Sequence, residues 1–402
     1  MIWLRVFLPF AAGYYISYLF RTVNAVISPE LTVELGLSPS DLGLLTSAYF
    51  LTFAVVQLPV GLALDRYGAG RTNSALLVFT AIGSGCFALA TSTWGLILAR
   101  ALIGFGVAAA LMGAFKAFVD HFPRESLPRI NGFQMAAGGL GALTATVPVD
   151  LASDLIGWRG VFWGLSLLTL IIAAILWLAV PVKRREPESL SRQLAGLAQV
   201  YRSPVFWRLA PLTMASQGGF VAVVGLWSGP WLRDVGGLGQ DQIAGHLLVI
   251  ALAMVAGFIS MGTLAERLGR IGLKPVGAVL AGVVLFVIVQ LPLALLMTDN
   301  LLLTWIGFGF FGTTGIVSYA VLSQQFPAEL AGRLNTALNM QVFLTSFALQ
   351  WGIGLVIGLF EAPAGGGYAP EGYQAALFSV IGLQVAGLCW YGLFRKGRRQ
   401  AE

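Results

Sequence analysis

Twelve apolar runs, each about long enough to cross a lipid bilayer as an α-helix, occupy most of this 402-residue chain. A membrane-spanning helix needs roughly 20 predominantly apolar residues. The sequence therefore predicts an all-α, multi-pass membrane protein with twelve transmembrane helices. The predicted spans are 4–27, 41–63, 72–92, 94–118, 130–153, 158–181, 206–228, 241–264, 275–297, 300–323, 333–360 and 373–394.

The composition excludes most other classes of protein. Charged residues make up 10% of the chain, against about 25% in a soluble domain. The two cysteines, Cys86 and Cys389, lie in apolar runs and form neither a disulfide framework nor a metal-ligand spacing. We expect no cofactor, no metal and no nucleic-acid partner. The expected environment is the lipid bilayer, where the 50 glycines suit closely packed helices.

Basic residues give the chain an orientation. If both termini lie in the cytoplasm, all but four of the 24 Lys and Arg fall on the cytoplasmic side, with dense clusters at 183–185 and 395–399. This predicts a cytoplasmic-membrane protein. The one long inner loop, 182–205, separates six spans in 1–181 from six in 206–402. The four exceptions are Arg21, Arg100, Arg159 and Arg233.

Two loop motifs occur twice at nearly the same offset. G-x-x-x-[DE]-R-x-G occurs at 61–68 and again 201 residues later at 262–269. F-P-x-E-x-x-x-R-x-N occurs at 122–131 and again 204 residues later at 326–335. A duplicated six-helix unit predicts two pseudo-symmetric bundles around a central cavity. Because such a chain encloses its own pathway, we expect a monomer.

These motifs also carry a family resemblance. The 61–71 loop, its echo at 262–270, Arg100 followed by Gly104 and Gly106, and W-R-G-V-F at 158–162 together resemble the major facilitator superfamily over essentially the whole chain. The resemblance implies a single polypeptide that moves a small solute by alternating access. No G-x-x-x-x-G-K-[ST] motif occurs, which argues against ATP-driven pumping.

The first loop motif suggests a latch at the cytoplasmic side. Asp65 ends a helix, where it can accept from Arg71 and face the N-terminus of a neighbouring helix. Such a contact would hold the inner side closed. The alternative is an ordinary solvated ion pair. The coupling and gating candidates from the two motifs are Asp65, Arg66, Arg71, Glu266 and Arg267.

Arg21 is the foremost ionisable residue inside a span. An ionisable residue within the bilayer indicates a functional site. Tyr14, Ser17, Tyr18 and Arg21 share one helix face, which we expect to line the cavity. The alternative is an interfacial arginine that extends to the outer headgroups.

The stretch 14–25 resembles the first helix of organophosphate and organic-anion members of the superfamily. The resemblance implies that Arg21 contacts the substrate anion. The seventh span offers Ser216 and Gln217 where phosphate exchangers carry a second arginine, which favours a monoanion such as a carboxylate, or a zwitterion. The other substrate-binding candidates are Tyr14, Tyr18, Asn24, Gln57, Gln134, Gln217, Tyr319 and Asn339.

Two further charges suggest a coupling step. Arg100 lies in span 4, and Asp150 lies near the outer end of span 5. If they pair, protonation of Asp150 would release Arg100. At the inner end of span 4, Lys116 and Asp120 have the spacing of a helical ion pair. No Asp or Glu lies at the centre of any span, which weakens proton coupling and leaves exchange or facilitation open.

Three functions compete. The leading one is a secondary transporter of a small organic anion or zwitterion, by symport or exchange with a proton or counter-anion. Proton-coupled efflux of amphipathic compounds predicts an acidic site in an apolar cavity, which this sequence lacks. The third hypothesis is a sensor that resembles a transporter and binds a solute without transporting it. An enzyme is not expected, because no nucleophile–base–acid constellation occurs.

Overall fold

A computed structural model describes residues 2–123, 126–181, 190–270, 275–327, 330–363 and 366–399. Within these ranges, the side chains of 128–129, 190, 192–193, 262–270, 275, 331 and 395–399 are not described. All regular secondary structure in the described part is helical. The expected all-α class is confirmed.

The α-helices follow one another with short breaks. A π-helical turn, Trp3–Phe7, precedes α1, another, Val223–Trp227, joins α11 to α12, and the 3₁₀ segment Gly312–Ile316 joins α15 to α16. The helices are α1 (Leu8–Thr22), α2 (Asn24–Leu35), α3 (Pro39–Val55), α4 (Gln57–Tyr67), α5 (Ala69–Leu89), α6 (Thr93–Gly106), α7 (Ala110–His121), α8 (Leu127–Thr144), α9 (Val147–Ala179), α10 (Leu190–Arg202), α11 (Pro204–Ala222), α12 (Ser228–Asp234), α13 (Gln240–Arg270), α14 (Pro275–Ala294), α15 (Leu301–Phe311), α16 (Val317–Ser323), α17 (Ala331–Ile357) and α18 (Pro370–Arg399).

By length and composition, nine helical stretches of the described chain can cross a membrane. The number is ten if α3 and α4, which are bent by 50° against each other, count as one span. A membrane protein with several helical spans is therefore confirmed, and the number twelve stays a prediction.

Two local breaks explain the difference in number. The predicted first span, 4–27, is divided among the turn Trp3–Phe7, α1 and α2, none of which alone is long enough to cross a bilayer. The predicted fifth span, 130–153, is divided between α8 and the first part of α9, and α9 also holds the sixth span beyond non-helical Gly157 at φ 68°. This left-handed conformation favours glycine, so two helices meet at Gly157.

The chain divides into two compact units, Met1–Leu190 and Ser191–Glu402. In the first unit, α1 packs on α8, α3 packs on α6, and α5 packs on α6 and α9. In the second unit, α11 packs on α17 and α18, and α13 packs on α15.

Gly104 explains why α3 and α6 pack so closely. A Cβ atom there would lie 2.2 Å from the Tyr49 carbonyl oxygen, so only a glycine fits between the two backbones. The small residue in this motif thus brings α6 directly against the helix that carries Tyr49. Tyr49 becomes part of the site described below.

Candidate solute-binding site

Helix α1 presents one polar and aromatic face. Tyr14, Ser17, Tyr18 and Arg21 recur at intervals of three and four residues, so their side chains lie one above another. Arg21 is 9% exposed. The predicted sharing of one face is present, and it brings a buried cation beside two phenol rings.

Aromatic side chains from α1 and α3 surround this cation. The Arg21 Cζ atom lies 4.4 Å from the centre of the Tyr18 ring and 5.7 Å from that of Phe53. Tyr14 meets Tyr18 edge to face at 5.1 Å, and Tyr49 stacks on Phe53 at 6.1 Å. The phenol groups of all three tyrosines lie within electrostatic reach of Arg21. We call Tyr14, Tyr18, Tyr49 and Phe53 the aromatic wall.

Neighbouring backbones fix the aromatic wall. The Tyr49 hydroxyl donates to the Ser17 carbonyl at 3.1 Å, which ties α3 to α1. On the other side, a Cβ atom on Gly138 of α8 would lie 2.5 Å from Tyr14 Cε1 and 2.8 Å from Tyr18 Cδ2. The glycine therefore allows α8 to press directly on both rings, which gives one packing reason for the glycine-rich fifth span.

The three amides proposed from the sequence as substrate-binding residues in the first unit make hydrogen bonds within the protein, and their role in binding stays a prediction. Asn24, Gln57 and Gln134 are buried, and the NH₂ group of each donates within the protein. Their acceptors are Thr46 Oγ1 at 3.0 Å for Asn24, Phe53 O at 3.2 Å for Gln57, and Phe10 O at 3.0 Å for Gln134. Their described hydrogen bonds are thus helix-to-helix and intrahelical contacts.

Arg100 contacts α1 next to Arg21. Its Nη1 donates to the Phe20 carbonyl at 2.8 Å, and its Cζ lies 5.4 Å from the centre of the Tyr49 ring. Arg100 is 0% exposed, and its Nε and Nη2 have no hydrogen-bond partner among the described residues. The described contacts of the Arg100 guanidinium are with α1 and α3. An ion pair with Asp150, considered from the sequence, is not among them. Asp150 itself is buried near the start of α9.

At the end of α4, Asp65 forms an ion pair with Lys116 of α7. The expected acceptor for Arg71 is therefore bound by a different cation, and Lys116, expected beside Asp120, reaches across to α4. Arg71 instead lies over the Trp177 ring at 5.6 Å. Among the described contacts Asp65 pairs with Lys116, and Arg71 lies toward α9, so the proposed latch between Asp65 and Arg71 stays a prediction.

Of the three remaining motif residues, Arg66 has a described side chain and Glu266 and Arg267 do not. Arg66 lies over the ring of its neighbour Tyr67 at 5.4 Å. The side chains of Glu266 and Arg267, the corresponding residues of the second motif, lie outside the described part of the structure. Their gating role stays a prediction.

Candidates in the second unit take part in helix-to-helix contacts. Gln217 Nε2 donates to the Gly312 carbonyl at 2.7 Å, which ties α11 to the 3₁₀ segment. The Tyr319 hydroxyl donates to Asn339 Oδ1 at 3.3 Å, which ties α16 to α17. The structure therefore gives Gln217, Tyr319 and Asn339 partners within their own unit.

Sequence reasoning missed a buried carboxylate at the end of α12. Asp234 accepts from Arg233 Nε at 2.6 Å, from the Tyr373 hydroxyl at 2.6 Å and from the Tyr368 backbone N–H at 3.1 Å. These contacts tie α12 to α18 and to the segment before it. No sequence signal marks this cluster, because Asp234 lies more than 130 residues from two of its partners.

Sequence reasoning also missed Tyr49 and Phe53. They are four residues apart on α3, so their spacing could have indicated a shared aromatic face. Nothing in the sequence of α3 alone shows that this face meets Arg21.

Comparisons with known proteins agree with the helical architecture. The family model described as Major Facilitator Superfamily matches residues 10–350. A "Hexuronate transporter" of Bacillus subtilis (strain 168) is 28% identical over 190 residues, which cover 47% of this chain and 44% of that protein. The chain thus spans less than half of that relative. A "Putative niacin/nicotinamide transporter NiaP" of the same organism is 27% identical over 77% of each chain.

A solved structure supports the fold. A bacterial homologue of the human lysosomal transporter Spinster, in its inward-facing and unoccupied conformation, superposes with a TM-score of 0.77. The superposition covers 97% of this chain and 96% of that one at 19% identity, so the likeness concerns the fold alone. The family and these relatives are transporters, as expected for a chain that is not an enzyme. Because the family model covers most of its length, the chain belongs to the major facilitator superfamily.

Proposed function

We propose that this protein carries a small organic monoanion, and specifically a carboxylate, across the cytoplasmic membrane by alternating access. The observation that carries the proposal is the buried guanidinium of Arg21 on the polar face of α1. A guanidinium stays charged and binds carboxylates with two parallel hydrogen bonds. Two relatives named for hexuronate and niacin support the same chemistry, because both names denote carboxylic acids.

The architecture that we propose for this transport has twelve spans with both termini in the cytoplasm. Residues 1–181 and 206–402 form two six-helix bundles that enclose a cavity, and 182–205 links them. The protein acts as a monomer. Charge asymmetry and the duplicated loop motifs support this arrangement.

The residues around Arg21 and the ion pair at the end of α4 then have distinct roles. Arg21 binds the anion, and the aromatic wall encloses it. Arg100 is a positioning residue, because its bond to the Phe20 carbonyl anchors α1 beside Arg21. The Asp65–Lys116 pair steadies the inner end of α4 during the conformational cycle. Symport with a proton and exchange with a counter-anion both fit this scheme.

The binding step can be tested by thermal unfolding of the detergent-purified protein. The ligands are organic carboxylates, phosphate esters, amino acids and cationic amphiphiles. A ligand that binds the folded state raises the midpoint by mass action. We expect stabilisation by carboxylates in wild type, its loss in Arg21→Gln, and its retention in the matched control Arg159→Gln, whose arginine lies on the outer surface of the same unit.

Other results would overturn the proposal. Stabilisation by cationic amphiphiles that is indifferent to Arg21→Gln would favour efflux. Binding of an anion with no uptake into liposomes would favour a sensor.

A further inference from the structure

We infer that the preferred solute bears its carboxylate on a flat aromatic or unsaturated ring, rather than on a hydroxylated sugar chain. This inference rests on the proposed binding of the anion by Arg21, and it specifies the rest of the solute molecule. It rests on the contrast between the aromatic rings next to that arginine and the amides of the same unit, which already donate hydrogen bonds within the protein.

The aromatic rings lie next to the guanidinium that the proposed carboxylate would bind. A guanidinium donates hydrogen bonds in its own plane, so a carboxylate binds at its edge and leaves its face to an aromatic ring. The centre of the Tyr18 ring lies 4.4 Å from the Arg21 Cζ, and Tyr14 continues the wall by one helical turn. A planar ring attached to the carboxylate would meet aromatic side chains at distances where ring pairs attract.

The side-chain amide donors proposed from the sequence for the first unit are committed elsewhere. The NH₂ groups of Asn24, Gln57 and Gln134 already donate to protein acceptors. The amide oxygens of Asn24 and Gln134 have no hydrogen-bond partner among the described residues, but both residues are fully enclosed at 0% exposure. A sugar acid would lose hydrogen bonds to water without replacement, which disfavours its binding.

The side of the wall formed by α8 is also apolar. The Tyr14 hydroxyl donates to the thioether sulfur of Met135 at 3.7 Å, a weak acceptor. One turn further, Gly138 brings only backbone against both tyrosines. Polarisable sulfur and ring edges suit an unsaturated solute better than a hydroxylated one.

The test compares four carboxylates of one charge: benzoate, nicotinate, acetate and D-galacturonate. Their affinities are measured by titration of detergent-purified wild type, Arg21→Gln, Tyr18→Leu and Tyr18→Phe. We expect benzoate and nicotinate to bind about tenfold more tightly than galacturonate or acetate, since one favourable ring contact corresponds to a factor of that order. Tyr18→Leu should reduce this ratio, and Tyr18→Phe, which keeps the ring, should preserve it.

The two proposals fail in different ways. If galacturonate binds as tightly as benzoate, and Arg21→Gln abolishes the binding of both, the ring inference is wrong and the anion proposal stands. If no carboxylate binds, or if binding is indifferent to Arg21→Gln, both are wrong. The wild-type ratio alone decides the ring inference if a Tyr18 variant does not fold.

Discussion

Arg100 of α6 donates a hydrogen bond to the backbone carbonyl of Phe20, at 2.8 Å, one residue before the arginine proposed to bind the solute. An arginine on one helix thus holds the main chain of another at the site. Because its Nε and Nη2 have no hydrogen-bond partner among the described residues, this anchor is energetically unfavourable for the fold. Such local cost is typical of functional sites.

Replacement of Arg100 should therefore affect binding and stability in opposite directions. Arg100→Met removes a desolvated charge, so we expect a thermal unfolding midpoint at least as high as that of wild type. Release of the Phe20 carbonyl and loss of a nearby positive charge should weaken benzoate binding by about three- to tenfold. Arg100→Lys, which keeps the charge, should recover part of the affinity. A lower midpoint with unchanged affinity would show a purely structural role.

Reversal of the Asp65–Lys116 pair tests its part in the transport cycle. Lys116→Glu places two carboxylates together at the end of α4, and Asp65→Lys places two cations there. Each single variant should slow initial uptake by about fivefold, because a partly exposed pair contributes up to about 1 kcal/mol. The double variant restores opposite charges and should recover most of the rate. Additive losses in the double-mutant cycle would contradict a direct role for the pair.

Gly138 and Gly132 offer a matched comparison on one helix. A methyl group on Gly138 would overlap Tyr14 and Tyr18, so Gly138→Ala should displace both rings and destabilise the protein by about 1–3 kcal/mol. A methyl group on Gly132 would meet no described atom within 4 Å, and Gly132→Ala should be neutral or slightly stabilising. Thermal midpoints and benzoate affinity of the two variants check this. Equal effects would mean that α8 does not set the position of the wall.

Glu34 gives the stability of the protein a pH dependence. Hydrogen bonds from Trp158 Nε1 and Arg159 lower the pKa of this carboxyl below its usual value of about 4.3. A lowered pKa in the folded state stabilises the protein above the unfolded-state pKa, and this contribution is lost as the pH falls through the folded-state pKa. The side chain is about half exposed, so the effect should stay below about 1 kcal/mol.

The check is the thermal midpoint between pH 7 and pH 3, a range that extends below the unfolded-state pKa of the carboxyl. Wild type should lose more stability over this range than Glu34→Gln, whose amide does not titrate. If the two proteins lose stability in parallel, the contacts of Glu34 do not shift its pKa.

Much of the fold could be predicted from the sequence, because helices that cross a bilayer must be long and apolar. Long apolar runs predicted the all-α membrane class, and the period of α1 placed Tyr14, Tyr18 and Arg21 on one face. Breaks such as Gly157 and the division of the first span were harder to foresee. They depend on local backbone geometry, which an apolar run does not encode.

The described contacts between helices were not predicted from the sequence. Lys116 was expected beside Asp120, its neighbour on one helix, and instead binds Asp65 across a helix pair. Arg100 was considered as a partner of Asp150, and its described hydrogen bond goes to the Phe20 carbonyl. Helical periodicity orders the residues of a single helix, whereas these pairs depend on which helix faces turn toward each other.

Uptake into liposomes tests the central claim most directly. Radiolabelled benzoate is supplied to liposomes that contain wild type, Arg21→Gln or Arg159→Gln in equal amounts. We expect saturable uptake by wild type and Arg159→Gln, competition by other carboxylates, and uptake at the level of empty liposomes for Arg21→Gln. Equal saturable uptake by wild type and Arg21→Gln would contradict the claim that this arginine binds the transported anion.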